Sequence, residues 1–321
     1  MKEIALHVRR IGALILNVLF NYKIIYLMLG LLNRPFKFVK TIFIAYPANR
    51  KYAEAYTYGW TRKKIAWKPF LVGIYKQNGK WGIMFVISST EEDFNNIDNV
   101  ENLKKLSNRV AVIRKLVRTN FEAYAGILPS IFKRNNIEIK KESRELTIKA
   151  IVGSIDKVSN KIGYPEDVPI IILGAGGYIG TKLKESLATE NREIVSIDIG
   201  KEGKDKANIE DWPDHLENKQ AILVNVSNKD TLENYVNLFW PDLVLLNEAY
   251  GNFKDCLEEL NKKGSLAFHI VGVKALSIPQ LPRIYRGAVP LCAAWNKKEG
   301  MEFVIRPLNL NTKTLVGSNN F

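Results

Sequence analysis

From Val168 onward the chain repeats one unit: a short apolar run, a helical pattern, then another apolar run. The runs lie at 170–173 (IIIL), 194–198 (IVSID), 221–226 (AILVNV), 242–247 (DLVLLN) and 265–271 (SLAFHIV). Helical patterns fill 178–190, 229–239 and 252–263, and a polar stretch with Trp212 and Pro213 fills the remaining gap. Parallel neighbours cannot be joined by a tight hairpin. Strands alternating with helical crossovers therefore predict an α/β fold with a doubly wound parallel sheet. The runs are continuously apolar rather than alternating, as strands covered on both faces require.

The loop after the first run narrows the reading. Gly174-Ala175-Gly176-Gly177-Tyr178-Ile179-Gly180 follows a strand and opens a helix. In that context Gly174 permits the tight turn, Gly176 or Gly177 lets the backbone approach a pyrophosphate, and Gly180 lets the helix pack close to the strand. The helix N-terminus supplies N–H groups and positive dipole for the phosphates. Glycines at 174, 177 and 180 give a spacing similar to that of short-chain dehydrogenase loops; Ile179 departs from strict G-x-G-x-x-G. Asp198 ends the second run, where an acid accepts the adenosine ribose hydroxyls and repels a 2′-phosphate. The cofactor expected is NAD, with NADP left open by the nearby Lys201 and Lys204. Ile199, beside Asp198, and Val226, Ser227 and Asn247, at the ends of later strands, complete the expected cofactor contacts. Residues 161–321 thus read as an NAD(P)-binding Rossmann domain.

The other half has a different character. A chain of 321 residues suggests two domains. Residues 1–160 carry 28 Lys and Arg against 12 Asp and Glu, whereas 161–321 carry 19 against 21. This places a boundary near 160, with a smaller basic α/β domain first. Asn78-Gly79 between the apolar runs 70–76 and 80–88 predicts a β-hairpin. Helical spacing covers 100–118 and 142–160, and residues 49–58 also read as helical. The most apolar stretch, Gly12 to Leu32, has Asn17, Asn21 and Lys23 near its middle. A central Lys costs roughly 2.5–3.5 kcal/mol in a span, so core or interfacial helices broken near Asn21-Tyr22 are favoured over a transmembrane segment or a signal peptide. The excess of positive charge points to an anionic partner, either a membrane surface or an acidic carrier, with nucleic acid not expected. Two cysteines and three scattered histidines exclude a disulfide scaffold and give no zinc spacing, so no metal is expected. The location expected is cytoplasmic, with membrane association left open.

A basic α/β domain, a linking helix over 142–160 and then VPIIILGAGGYIG form an order that resembles shikimate dehydrogenase, glutamyl-tRNA reductase and the aldehyde-forming acyl-carrier-protein reductases. DLVLLNEAYG (242–251), followed by a helix and Lys263-Gly264, is similar to the segment after the nicotinamide site in these enzymes. RGAVPLC (286–292) resembles the acyl-reductase segment in which a glycine precedes the catalytic cysteine by five residues. YAGILPSI (124–131) is similar to a glycine-containing turn ahead of that family's linking helix. The resemblance implies an NAD(P)-dependent oxidoreductase, most concretely one reducing a carrier-bound acyl thioester to an aldehyde through a thioester on Cys292. A shikimate-dehydrogenase-like reductase of a small polar substrate is the alternative, with Lys51 or Tyr52 as acid/base. A non-catalytic dinucleotide-binding partner protein is the third reading.

Overall fold

The computed structural model describes residues 2–47, 53–54, 57–140, 145–189, 191–198, 211–227, 229–249, 254–281, 285–295 and 301–316. In chain order its first elements are α1 (Lys2–Phe20), α2 (Lys23–Phe36), β1 (Val39–Ala45), α3 (Gly59–Lys64), β2 (Phe70–Gln77), β3 (Lys80–Val86), α4 (Glu91–Asn95), α5 (Val100–Val117), β4 (Phe121–Tyr124) and α6 (Leu128–Arg134). There follow α7 (Glu145–Ile162), β5 (Ile170–Leu173), α8 (Tyr178–Leu187), β6 (Ile194–Ile197), β7 (Ala221–Asn225), α9 (Lys229–Glu233), β8 (Leu243–Asn247) and α10 (Lys254–Lys262). The last are β9 (Ala267–Lys274), β10 (Leu276–Ile278), β11 (Ala288–Val289), β12 (Phe303–Pro307) and α11 (Leu310–Val316). They divide into two units, Met1–Ser143 with Val273–Gly300, and Arg144–Gly272 with Met301–Phe321.

The expected boundary near 160 is therefore displaced, for two physical reasons. First, the linking helix α7 buries Leu146, Ala150, Ile151, Ile155 and Val158, and it packs on α8 and β12, so it belongs to the second unit. Second, the chain returns to the first unit from Val273, near the end of β9. There β10 pairs antiparallel with β2, the Tyr75 hydroxyl donates to the Ala293 carbonyl, and Gln77 Nε2 donates to the Trp295 carbonyl at 3.2 Å.

The first unit is built on a five-stranded sheet of order β10-β2-β3-β1-β4. β1 runs parallel to β3 and β4, while β2 is antiparallel to β3. The β2–β3 hairpin turns at Asn78 (φ 47°) and Gly79 (φ 76°), the left-handed pair that an Asn-Gly turn favours. α5 lays Leu103, Leu106, Val110, Ile113 and Val117 into a core with Ile42, Ile44, Ile83 and Phe85. Within that core Glu122 is buried, receiving Arg114 Nε at 2.7 Å and the Tyr124 hydroxyl at 3.0 Å.

The apolar N-terminal stretch forms α1 and α2, bent by 77° at the break expected near Asn21-Tyr22. No single helix among the described residues is long and apolar enough to cross a membrane. The asparagines within the stretch tie the helices to the sheet. Asn17 Nδ2 donates to the Leu71 carbonyl at 2.7 Å, Leu71 N donates to Asn17 Oδ1 at 2.9 Å, and Asn21 Nδ2 reaches the Pro69 carbonyl at 3.1 Å.

The second unit holds the doubly wound parallel sheet. Its parallel strands run β6-β5-β7-β8-β9, which is 2-1-3-4-5 in local order, and β12 also pairs with β9. β5, β7 and β8 are buried throughout, as coverage on both faces demands. One face carries α7 and α8; the other packs Leu223 and Leu245 against Tyr235, Phe239, Trp240 and α10. The helical pattern over 229–239 is realised only in part, as α9 and a short 3-10 turn at Val236–Leu238. Its aromatic side chains turn onto Trp212, with the Tyr235 ring stacked at 5.6 Å.

Candidate functional site

In a 2-1-3-4-5 sheet the strand order reverses between the first and third strands, and ligands bind outside the carboxyl ends at that point. Here the switch lies between β5 and β7, and the glycine loop leaves β5 at this place. Its shape is fixed by few bonds. Gly174 N and Ala175 N both donate to the Ile197 carbonyl, at 2.9 and 3.1 Å, which ties the loop to the end of β6. Gly177 N donates to the Gly174 carbonyl at 3.1 Å and Thr181 N to the Gly177 carbonyl at 2.9 Å, starting α8. The first turn of α8 leaves backbone N–H groups without helical partners at the loop.

Each glycine has its own reason. Gly174 has φ +94°, and a Cβ there would stand 2.9 Å from Ser227 N. At Gly180 a Cβ would come within 2.2 Å of the Gly174 carbonyl oxygen, so only glycine lets α8 approach the loop. At Gly176 it would meet the Asp198 carboxylate at 1.8 Å. Gly177 is less constrained; it caps α8 in extended backbone, and a Cβ would meet only the Gly174 oxygen at 3.3 Å. Of the two glycines offered for close backbone approach, Gly176 is the one against the acid. Ala175 is buried and Tyr178 is exposed, and Ile179 continues the first turn.

The loop therefore fits a dinucleotide on structural grounds. It presents a backbone nearly free of side chains, a helix N-terminus, and an exposed carboxylate, Asp198, at the neighbouring strand end. Val226 N donates to the Leu173 carbonyl at 3.0 Å, which places Val226 and Ser227 on the far side of the switch. Ile199, Lys51 and Tyr52 lie outside the described residues.

Asn247 is not an open contact. It is fully buried and belongs to a polar row across three strands, Asn225 and Asn247 at the ends of β7 and β8 and His269 within β9, which are register partners. Asn225 Nδ2 donates to Asn247 Oδ1 at 2.8 Å, and Asn247 Nδ2 donates to the Ala249 carbonyl at 2.8 Å. Asn225 Oδ1 receives Ser227 N at 3.1 Å and Ser227 Oγ at 2.6 Å. The row pins the loops that follow β7 and β8. Asn225 is absent from the expected contacts; the signal available in sequence is an Asn at or next to the end of both apolar runs, Asn225 in 221–226 and Asn247 in 242–247.

His269 Nδ1 lies 2.9 Å from the Asn247 carbonyl oxygen, which assigns the proton to Nδ1 as donor. Burial pushes its pKa down to about 4; the carbonyl bond opposes this and the Arg306 charge adds to it. A histidine depressed in the folded state binds its proton more readily when unfolded. Stability should thus be lost as pH falls from the unfolded value of about 6.5 toward 4, by roughly 3 kcal/mol in all. His269→Gln should flatten that part of the stability–pH curve, measured by denaturant unfolding; an unchanged slope would count against the assignment.

Cys292 belongs to the first unit, in a 3-10 turn at Leu291–Ala293. It is half-buried, in a turn that packs on β4 and against the cluster of Phe43, Tyr75, Met84 and Trp295, and it is close enough to Tyr46, just past the end of β1, for their charges to interact. The Tyr46 hydroxyl stands in the same region, donating to Glu91 Oε1 at 2.7 Å and receiving Ile127 N at 3.0 Å. Its pKa is raised by burial first, then by Glu91, with a smaller contribution from Cys292. Cys256 is buried, and burial pushes its thiol up to about 11.

No family model and no curated protein matches the chain. Among solved structures it is similar to a putative LacI transcriptional regulator from Bacteroides fragilis, at 10% identity and TM-score 0.32, covering 72% of this chain and 84% of that one. It is similar to NAD+-bound 3-phosphoglycerate dehydrogenase of Entamoeba histolytica at 14% identity and TM-score 0.28, covering 71% and 86%. The TT0316 protein of Thermus thermophilus follows at 12% identity and TM-score 0.28, covering 70% and 79%. Scores this low carry no functional argument.

Proposed function

We propose that the second unit binds NAD(H) and that the protein is an NAD-dependent oxidoreductase. The observation that carries this reading is the glycine loop at the β5/β7 switch with the Asp198 carboxylate against Gly176. Gly176 and the first turn of α8 would hold the pyrophosphate, and Asp198 the adenosine ribose hydroxyls. When bound, the nicotinamide supplies or accepts a hydride.

The finer reading is reduction of an acyl thioester. Cys292 Sγ would attack the thioester carbonyl, the carrier thiol would leave with a proton, and an enzyme thioester would remain for reduction to the aldehyde. What supports it is the half-buried thiol, in a turn that packs on β4 and close to Tyr46, where the Gly126 turn also stands. A Cβ on Gly126 would come within 2.2 Å of the Tyr46 hydroxyl oxygen, so the turn closes on that group. Iodoacetamide should label Cys292 well before Cys256, whose thiol is buried and hard to ionise. Incubation with an acyl thioester should leave an acyl adduct on Cys292, read by mass spectrometry. Cys292→Ser should lose NADH oxidation with that substrate while NADH affinity stays unchanged. Equal turnover by the variant, or no adduct on the wild type, overturns the thioester route.

A further inference from the structure

α1 and α2 use only one side of themselves to hold onto the first unit. On α2 the buried side is Tyr26, Gly30 and Asn33, and a Cβ on Gly30 would stand 1.8 Å from the Leu116 carbonyl oxygen. The opposite side presents Ile24, Leu27, Met28, Leu31 and Leu32, each 40–60% exposed, at the spacing of a single helical face. On α1, Val8, Ile11, Ile15, Val18 and Leu19 are 48–65% exposed along one side. Ordinary surfaces scatter their apolar residues singly, so two adjoining stripes of this kind mark an interaction surface.

The charges around the stripes say what covers them. The first forty residues hold seven Lys and Arg and one acid, Glu3. At the end of α2, Arg34, Lys37, Lys40 and Arg118 line a cleft of about 190 Å³. At its start, Lys23, Lys68 and Arg109 line a recess of about 410 Å³ beside Tyr26. Neither lining contains a carboxylate, and no ion pair joins the four cations of the cleft to an acid among the described residues. An apolar face between two basic recesses matches the interface of an anionic bilayer: acyl chains meet the stripe and lipid phosphates meet the cations. A second copy of the chain would bring the same positive recesses against each other. The Asn17 and Asn21 bonds to Leu71 and Pro69 keep α1 and the break on the unit, and Asn33 Nδ2, donating to the Val39 and Val117 carbonyls, keeps α2 there, so both helices lie along the membrane surface.

We propose that the first unit docks on membranes rich in anionic phospholipid through the outer faces of α1 and α2, with lipid phosphate in the Arg34–Lys37–Lys40–Arg118 cleft. The test is flotation of the full chain with vesicles of phosphatidylcholine alone or with added phosphatidylglycerol. The wild type should float with the anionic vesicles, poorly with the neutral ones, and less in high salt. Met28→Glu with Leu31→Glu should abolish flotation without unfolding, since both positions are exposed. Arg34→Gln, Lys40→Gln and Arg118→Gln together should weaken it on the order of a hundredfold. Met28→Trp gives a second readout that does not depend on those variants folding; its emission should shift to the blue with anionic vesicles and be quenched by brominated lipid. Absence of flotation by the wild type overturns the proposal, as does flotation indifferent to both sets of substitutions. It is also overturned by lipid-free self-association, or capture by an acidic carrier protein, that the Met28/Leu31 variant abolishes while vesicles remain unbound.

Discussion

Gly180→Val is expected to destabilise the second unit by about 3 kcal/mol or more and to remove dinucleotide binding. The added Cβ would fall 2.2 Å from the Gly174 carbonyl oxygen and 2.7 Å from Ala175 Cα. Both are backbone atoms, and the Gly174 oxygen is already the acceptor for Gly177 N. Neither can yield without shifting the loop or pushing α8 off β5. Either movement separates the loop from Asp198. Denaturant unfolding followed by the fluorescence of Trp212 and Trp240, which lie in that unit's core, reads the stability. Gly177→Ala is the control. Its Cβ would meet one oxygen at 3.3 Å in ordinary extended backbone, so its stability should stay close to wild type. Equal stability of the Gly180→Val and Gly177→Ala proteins would contradict the packing argument.

In the first unit, Glu122→Leu should cost about 3–5 kcal/mol. Glu122 is 2% exposed, and the Arg114 side chain that it pairs with is also largely covered. Removing the carboxylate leaves the guanidinium with a charge that water reaches poorly, and it strips the Tyr124 hydroxyl of its acceptor. Burial and Glu122 together hold the Tyr124 hydroxyl protonated, so it acts as a donor at any ordinary pH. Replacing Arg114 and Glu122 together by apolar residues should cost much less than either single change, because a buried pair contributes little net stability when both members go. A double variant as damaged as Glu122→Leu alone would show that the loss is one of packing.

The second unit was largely legible in the sequence, because its signals are local. Continuous apolar runs announce the strands, and the glycine loop and Asp198 can each be picked out within a few residues; the structure brings loop and acid together at the neighbouring ends of β5 and β6. The strand order was not legible, since which side of β5 a strand joins depends on crossovers rather than on composition. For the same reason the Asn225–Asn247 bond was hidden; two residues 22 apart become partners only when β7 and β8 are in register. The first unit was harder. Its sheet is completed by β10, only three residues long, which no periodicity can announce. Asn17 and Asn21 read as polar interruptions of an apolar stretch, and their purpose appears only with Leu71 and Pro69 beside them. Cys292 could be singled out by resemblance, yet its setting against β4 and close to Tyr46 required the chain's return to the first unit.

The central claim is that the loop from Gly174 to Gly180 and Asp198 hold NAD(H), and calorimetric titration of the full chain with NADH tests it most directly. Saturable one-to-one binding is expected, with NADPH weaker. Asp198→Ala should lower the NADH affinity at least about tenfold, as expected when a charge-assisted hydrogen bond is lost, and narrow the gap to NADPH. A wild-type protein that takes up neither dinucleotide, or an Asp198→Ala protein that binds NADH as the wild type does, would contradict the account.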